Sequence, residues 1–523
     1  MNISGKEKTL LLALAFAEGA AVMAAELLGT RIVAPYFGTS LYVWASVLGI
    51  TLSALMCGYF TGGYLSAKTP GIRTLYWILL AAGTSLCLMP FLARLVMTHT
   101  IYLSVQTGAV TSLLLFLFPP IFLMATSSPI IISRLSDTAG TSGKSAGLVY
   151  AVSTSGGIAS TFITGFYLLP HFGITLPSVG FGAILILLPL IMLLFEKQFI
   201  SLGVVLLLLI LGREVLSIRK TNSENFRIVA ESEGLLGQLR VVDHMYYTKT
   251  KGYQHARGLL VNNITQNVMD LTDPSSDLAD YTHLFPLAAS IFPAGSRALL
   301  LGMGGGTFVK HFKKLGFETD AVELDPRIKD IAIKYFYIDP GTNVIVDDAR
   351  HFIRTTNNHY DVIAFDLFLG ETPPSHTLTV ESFEDLKKIL NPGGMVLINF
   401  YGYLTDSKGK AARCVFKTLQ KAGLHPMILT TPGKESERST AFVAGCSTPD
   451  FSRTGYKDTY LPSQNIKDFT YDTNTLDLSD AVVLTDDNPL LEYLYTEAAL
   501  AWRSSYNAFY TKRFIGDTIP VFR

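Results

Sequence analysis

Between Leu301 and Thr307 the chain reads Gly302-Met303-Gly304-Gly305-Gly306, a run whose missing side chains let backbone approach a ligand closely. At the carboxyl end of a strand, such a turn serves nucleotide binding. A glycine-rich turn alone is weak evidence. Glu323, about 20 residues further on, is placed to accept both ribose hydroxyls of a nucleoside. Asp348 adds a polar group suited to an adenine amino group. Together these residues describe a nucleoside site, and the pattern fits a nicotinamide or a sulfonium nucleoside equally. Metal chemistry is not expected, because His283, His351, His359 and His376 share no ligand spacing. Cys57, Cys87, Cys414 and Cys446 are scattered and make neither a disulfide framework nor a zinc module.

To bring those groups together the surrounding chain must alternate strand and helix, and it does. Strands are expected at Arg297 to Leu301, Thr319 to Glu323, Val344 to Val346, Tyr360 to Asp366 and Met395 to Phe400, with helices at Thr307 to Leu315 and Arg327 to Tyr335. That alternation predicts an α/β fold, a Rossmann-like doubly wound parallel sheet of the class I methyltransferase type. Ahead of it, residues 226 to 270 show β-type alternation broken by turns, and predict a small antiparallel β module.

The first part of the chain has a different character. Over 523 residues the composition is 49% hydrophobic and 16% charged, with mean hydropathy +0.34, too apolar for a wholly soluble protein. Basic and acidic residues balance at 42 each, which sets aside nucleic acid as a partner recognised by bulk charge. The apolar excess lies in residues 9 to 212, where runs at 9 to 30, 41 to 66, 74 to 95, 107 to 132, 146 to 169 and 174 to 195 reach bilayer length. A seventh run, Phe199 to Leu211, is short for a span, so six to eight spans are expected. Ala15-Phe16-Ala17 resembles a cleavage signal, but the apolar stretch continues past it and reads as a retained helix. Domain boundaries follow at 1–220, 221–290 and 291–523 for the transmembrane helices, the β module and the nucleoside-binding domain.

Lys6, Lys8, Lys68, Arg73, Arg134 and Lys144 fall on one side of the expected spans, against Arg31 and Arg94 on the other. This places the amino terminus in the cytoplasm, and six spans return the soluble half to it. Glu18 and Glu26 stand inside the first span with Arg31 at its end, either as a structural ion pair or as a polar intramembrane site. Ser127, Ser128 and Pro129, and Ser153 to Gly157, read as close-packing positions. Asp486 and Asp487 before Pro489 read as caps of a terminal helix.

Gly237-Gln238-Leu239-Arg240, the run from Leu259 to Gln266, Tyr281-Thr282-His283, the glycine loop and the run from Tyr360 to Asp366 resemble the spermidine synthase family in order and spacing. The resemblance covers residues 226 to 446. The multi-span first part, with Glu26, Arg31 and Pro35-Tyr36-Phe37-Gly38, and the tail Leu484 to Pro489 resemble the membrane-fused branch of that family. Family members transfer an aminopropyl group from decarboxylated S-adenosylmethionine to a diamine and release methylthioadenosine. The resemblance implies Gln238 and Gln266 near the sulfonium nucleoside, Gly302, Gly304, Gly305 and Gly306 around it, Glu323 on its ribose, Asp348 on its adenine, and Tyr281 with Asp366 at the reacting centre.

Two positions depart from the family. Gly305 and Leu369 stand where soluble members carry acids that hold cationic amines. Their loss disfavours diamines and removes a repulsion against a carboxylate, so intact S-adenosylmethionine becomes an expected substrate. Its own carboxylate can then close a lactone and expel methylthioadenosine, walled from water by Leu367, Phe368 and Leu369. Three readings follow: a displacement enzyme releasing methylthioadenosine, a methyltransferase releasing S-adenosylhomocysteine, and a transporter or sensor releasing neither. The expected partners are a small-molecule substrate and membrane lipid, with a homodimer left open. The expected location is a cell inner membrane, multi-pass, with a cytoplasmic catalytic domain. His376 and Glu371 sit on a loop that in the family closes over substrate.

Overall fold

Long apolar runs in hydrocarbon satisfy their backbone by closing it into helices, and the computed structural model of the chain forms helices there. It describes residues 4–68, 71–136, 142–204, 206, 208, 210, 226–234, 236–248, 252–368, 372–452, 456–458 and 460–514. The chain divides into two compact units, Met1–Asn222 with Glu231–Leu239 and Asn507–Arg523, and Ser223–Ala230 with Arg240–Tyr506.

The first unit contains α1 (Gly5–Phe37), α2 (Leu41–Lys68), α3 (Ile72–Thr100), α4 (Val105–Phe116), α5 (Phe118–Leu135), α6 (Ser142–Phe172, its last turns passing through a π-helical stretch) and α7 (Thr175–Phe195). All but α4 are long and apolar enough to cross a membrane, six in number among the described residues. The run expected as one span over 107 to 132 is instead two helices, α4 and α5. Pro119 and Pro120 are the cause: neither has an N–H to continue α4, and both fit the first turn of a new helix. The run Phe199 to Leu211 opens with a 3₁₀ turn at Phe199–Ser201, and its residues 205, 207, 209 and 211 lie outside the described residues.

Small residues bring α1 and α6 together. A Cβ added to Gly156 would lie 2.2 Å from the Phe16 carbonyl oxygen, and one added to Gly19 would lie 2.0 Å from that of Ser153. At this crossing the buried carboxylate of Glu18 accepts hydrogen bonds from the hydroxyls of Ser153 at 3.1 Å and Ser128 at 3.3 Å. Ser128 and Ser153 are therefore more than packing positions, and Glu18 is held by hydroxyls.

The strands β1 (Phe226–Ser232), β2 (Leu239–Thr248), β3 (Gly252–Val261) and β4 (Ile264–Asp270) form a sheet in that order, with β3 and β4 antiparallel. The larger sheet uses β5 (Arg297–Leu301), β6 (Glu318–Glu323), β7 (Asn343–Val346), β8 (Tyr360–Phe365), β9 (Leu390–Tyr401), β10 (Met427–Thr430) and β11 (Ser439–Gly445), in the order β10-β11-β9-β8-β5-β6-β7. Five strands are parallel, while β11 runs antiparallel to β9 and β10 antiparallel to β11. The sheet is thus mixed, a Rossmann-like core extended by an antiparallel edge that strand–helix alternation did not announce.

Period-two alternation explains the core. Leu299, Leu301, Ile363 and Phe365 point into one apolar layer, and Ala298, Leu300, Val362 and Ala364 into the other. Central strands apolar on both faces can only be covered on both faces, which the flanking helices do. Loops at the strands' carboxyl ends stay free to carry chemistry.

Candidate functional site

The order of the larger sheet reverses between β5 and β8: the chain leaves β5 toward β6 and returns on its other side as β8. Ligands of open α/β sheets bind in the crevice at such a switch point. Asp366 follows β8, the glycine loop follows β5, Glu323 ends β6 and Asp348 follows β7, so neighbouring strands line these groups up at one sheet edge.

Gly302 has φ +86°, and a Cβ there would lie 2.2 Å from the Asp366 carbonyl oxygen. The Asp366 N–H in turn donates to Leu301 O at 2.8 Å. Any other residue at 302 would push the loops after β5 and β8 apart. Gly306, at φ +78°, precedes the helix Thr307–Lys314 and has no room for a Cβ beside Ile338. Gly304 has open space beside it, as a ligand-facing position requires.

Glu323 reaches back under this loop. Its Oε2 accepts from Met303 N–H at 3.0 Å and its Oε1 from Asp325 N–H at 2.9 Å. Burial raises its pKa, against the pull of these N–H groups and that of Gly304. These three N–H groups use three of the carboxylate's four lone pairs and leave one for a ribose hydroxyl. Asp348 is placed differently: it caps the helix Ala349–Thr355, its Oδ1 accepting from Arg350 and His351 N–H, and its Oδ2 lies 3.3 Å from His376 Nε2. His376 thus meets the Asp348 carboxylate, while Glu371 and Leu369 lie outside the described residues.

Asp366 is the acid with the strongest setting. Burial raises its pKa to about 7, the Asn399 side chain opposing by donating at 2.8 Å, and the charges of Asp277 and Glu323 push it further up. Asp277 is also buried with a raised pKa, burial again the main cause. Its Oδ2 accepts from Asn267 Nδ2 at 2.6 Å, Thr307 Oγ1 at 2.9 Å and Val268 N–H at 3.1 Å. A buried acid whose charge two further buried carboxylates disfavour is the electrostatic mark of a site rather than of a stabilising core.

Sequence reading missed Asp277, Asn267 and Asn399. Asp277 sits in an ordinary turn-rich stretch, and only the fold carries it against Thr307.

Tyr281 lies in the 3₁₀ turn Asp280–His283, edge-on to Phe308 of the glycine-loop helix, its hydroxyl 3.4 Å from the Gln266 carbonyl oxygen. Gln266 occupies a bulge of β4: Leu259 pairs with Asn267 and Leu260 with Thr265, which leaves it unopposed. The structure thus joins Tyr281, Gln266, Asn267, Asp277 and Thr307 around the glycine loop. Gln238 belongs to the other compact unit, where its buried amide donates to Glu233 at 2.5 Å and Glu231 at 3.2 Å.

His283 fixes the same 3₁₀ turn. Its Nδ1 lies 2.6 Å from Asp458 Oδ2 and its Nε2 2.9 Å from the Asp277 carbonyl oxygen, with Tyr460 stacked on the ring. His311 joins through Tyr456, whose hydroxyl is 3.0 Å from both His311 Nδ1 and Asp458 Oδ2. Ligand atoms of His283, His311 and Asp458 come within 4.8 Å of one another, a grouping that spacing did not show. Burial first, and then neighbouring cationic groups, push His311 down to about 3. With Asp458 engaged by Tyr456 and His283, the cluster is a polar tie between the 3₁₀ turn and residues 456–460. Asp486, expected to cap the terminal helix, instead pairs with Arg350 at 3.1 Å and accepts from Thr379 at 2.6 Å. That helix starts at Leu491, beyond the reach of such a cap.

Residues 283–401 match the family described as Spermine/spermidine synthase domain. A probable polyamine aminopropyl transferase of Bifidobacterium longum is 26% identical over 259 residues, covering 46% of this chain and 58% of the relative. The polyamine aminopropyltransferase of Vibrio vulnificus is 35% identical over 140 residues, covering 25% and 47%. An N-terminal histidine N-methyltransferase of Emericella nidulans is 31% identical over 150 residues, covering 27% and 26%. The chain spans less than two thirds of the length of each of these relatives.

Proposed function

We propose that this chain, which carries a spermine/spermidine synthase domain over residues 283–401, is a membrane-integral enzyme that binds S-adenosylmethionine or its decarboxylated form and displaces methylthioadenosine. The observation that carries the reading is Asp366, an acid with pKa raised to about 7 at the switch point, one strand from the glycine loop. In this reading Gln266, the glycine loop, Glu323 and Asp348 hold the nucleoside, and Tyr281 with Asp366 faces the reacting carbon. Residues 1–220 form the membrane domain, 221–290 the β module and 291–523 the catalytic domain. The catalytic domain faces the cytoplasm from an inner membrane.

The reaction is displacement at the carbon beside the sulfonium. The nucleophile bonds to that carbon, the C–S bond breaks, and its electron pair returns to sulfur as methylthioadenosine leaves. An attacking amine acquires a positive charge and sheds one proton, which ionised Asp366 accepts. The substrate's own carboxylate closes a five-membered lactone with no proton to remove, helped by effective molarities that reach about 10⁵ M for oriented groups. A methyltransferase reading is favoured by one observation, the likeness to the histidine N-methyltransferase.

Mass spectrometry of products separates these. Purified chain is incubated with S-adenosylmethionine or its decarboxylated form, with and without putrescine. Methylthioadenosine in either case supports the proposal, and its dependence on putrescine distinguishes amine from carboxylate attack. S-adenosylhomocysteine would transfer the assignment to methyl transfer, and intact nucleoside throughout would leave a binding protein without catalysis.

A further inference from the structure

Asn267 stands beside the bulged Gln266 with its side chain buried against the glycine loop. Its Nδ2 donates to Asp277 at 2.6 Å and to Thr307, which fixes the amide with its oxygen turned toward Gly305. A Cβ built on Gly305 would lie 2.1 Å from Asn267 Oδ1 and 2.5 Å from its Cγ. The amide therefore occupies the volume into which any side chain at 305 would project. Asn267 is only 5% exposed, and its Oδ1 has no hydrogen-bond partner among the described residues. A buried acceptor without a donor is a cost that an incoming N–H relieves.

We propose that Asn267 is the residue that selects the tail of the sulfonium nucleoside, an inference that rests on the nucleoside reading above. A neutral carbonyl at this place accepts from an ammonium and does not repel a carboxylate. Asn267 thus holds the ammonium of either tail and admits the carboxylate of intact S-adenosylmethionine, which an acid at this place would repel. Gly305 is glycine because Asn267 fills its side-chain space. The charge at the loop is set from β4, not from the loop itself.

The test is calorimetry on the full chain in detergent with three ligands: S-adenosylmethionine, its decarboxylated form, and methylthioadenosine, which has no charged tail. Wild-type protein should bind intact S-adenosylmethionine at least as tightly as the decarboxylated form, and both more tightly than methylthioadenosine. Asn267→Ala should weaken S-adenosylmethionine by about tenfold and leave methylthioadenosine within about twofold, as expected for one charge-assisted hydrogen bond. The double change Asn267→Gly with Gly305→Asp puts a carboxylate into the vacated space and should make the decarboxylated form the tighter of the two tailed ligands. A wild-type preference for the decarboxylated form, or equal effects of Asn267→Ala on all three ligands, overturns the inference and leaves the nucleoside reading standing. Wild-type protein that binds no methylthioadenosine overturns both.

Discussion

Asp366 carries its consequence in its charge state. With its pKa raised to about 7, it is a neutral acid below that pH and a carboxylate above it. Only the carboxylate accepts a proton, so amine attack should show kcat/KM rising with pH through about 7 and then levelling. Asp366→Asn should remove that rise and lower the rate on the order of 10²- to 10⁴-fold, the usual weight of a positioned base. A flat profile, with the variant nearly as fast as its parent, would instead indicate attack by the substrate's carboxylate. Glu323 makes a second prediction: Glu323→Ala should weaken methylthioadenosine by about 100-fold, because hydrogen bonds to a charged acceptor contribute roughly 1.5–3 kcal/mol each. Circular dichroism should remain unchanged, and unchanged affinity by calorimetry would remove the ribose role. The positions of both acids were legible, because Glu323 is the last residue of β6 and Asp366 the first after β8. Asp277 and Asn399 were not, since what makes them matter is the buried neighbourhood that non-local strands assemble around Asp366.

At the scale of elements, helix and strand positions were readable wherever one periodicity ran uninterrupted. The strands β5, β6 and β8 fell within a residue of their expected bounds, β5 and β8 because parallel central strands are apolar on both faces. Reading failed where a local device overrides the pattern. Pro119 and Pro120 split one apolar run into α4 and α5, and the bulge at Gln266 shifts the register that aims Asn267. The antiparallel pair β10 and β11 was missed because its pairing with β9 is non-local. The α1–α6 crossing gives an element-scale prediction. Gly156→Leu, whose Cβ would meet the Phe16 carbonyl at 2.2 Å, should destabilise the helix pair by on the order of 1–3 kcal/mol, the usual cost of overpacking. Gly147→Leu on the same helix, where a Cβ meets nothing within 4 Å, should be close to neutral. Thermal unfolding of the detergent-solubilised chain compares the two, and equal melting temperatures would mean that the close approach is not what holds the pair.

For the whole molecule, the open quantity is sidedness, and two ion pairs bear on it. Arg134 near the end of α5 reaches Glu7 at the start of α1 at 2.8 Å, and Arg73 at the start of α3 reaches Glu196 just after α7 at 2.5 Å. Exposed or half-exposed pairs like these contribute little stability, but they report which helix ends share a level. The helix ends that carry Arg73 and Arg134 also carry Lys6, Lys8 and Lys68, and α7 delivers the chain to the level of Arg73. Cytoplasmic loops are the ones enriched in lysine and arginine, so the proposed reading has the chain leave α7 on the cytoplasmic side. On the proposed reading the nucleoside is a cytosolic metabolite, and a nucleoside-binding half on that side has it at hand. A reporter fused after Arg523 should therefore behave as cytoplasmic: an alkaline phosphatase fusion inactive, a green fluorescent fusion bright. A second pair of fusions placed after Gln198 should give the same result. If the fusion after Gln198 reads cytoplasmic and the one after Arg523 periplasmic, the run Phe199 to Leu211 crosses the membrane and strands the catalytic half away from its nucleoside. If both read periplasmic, the charge argument itself is inverted. Only agreement of both on the cytoplasmic side keeps the membrane half and the proposed chemistry in one consistent molecule.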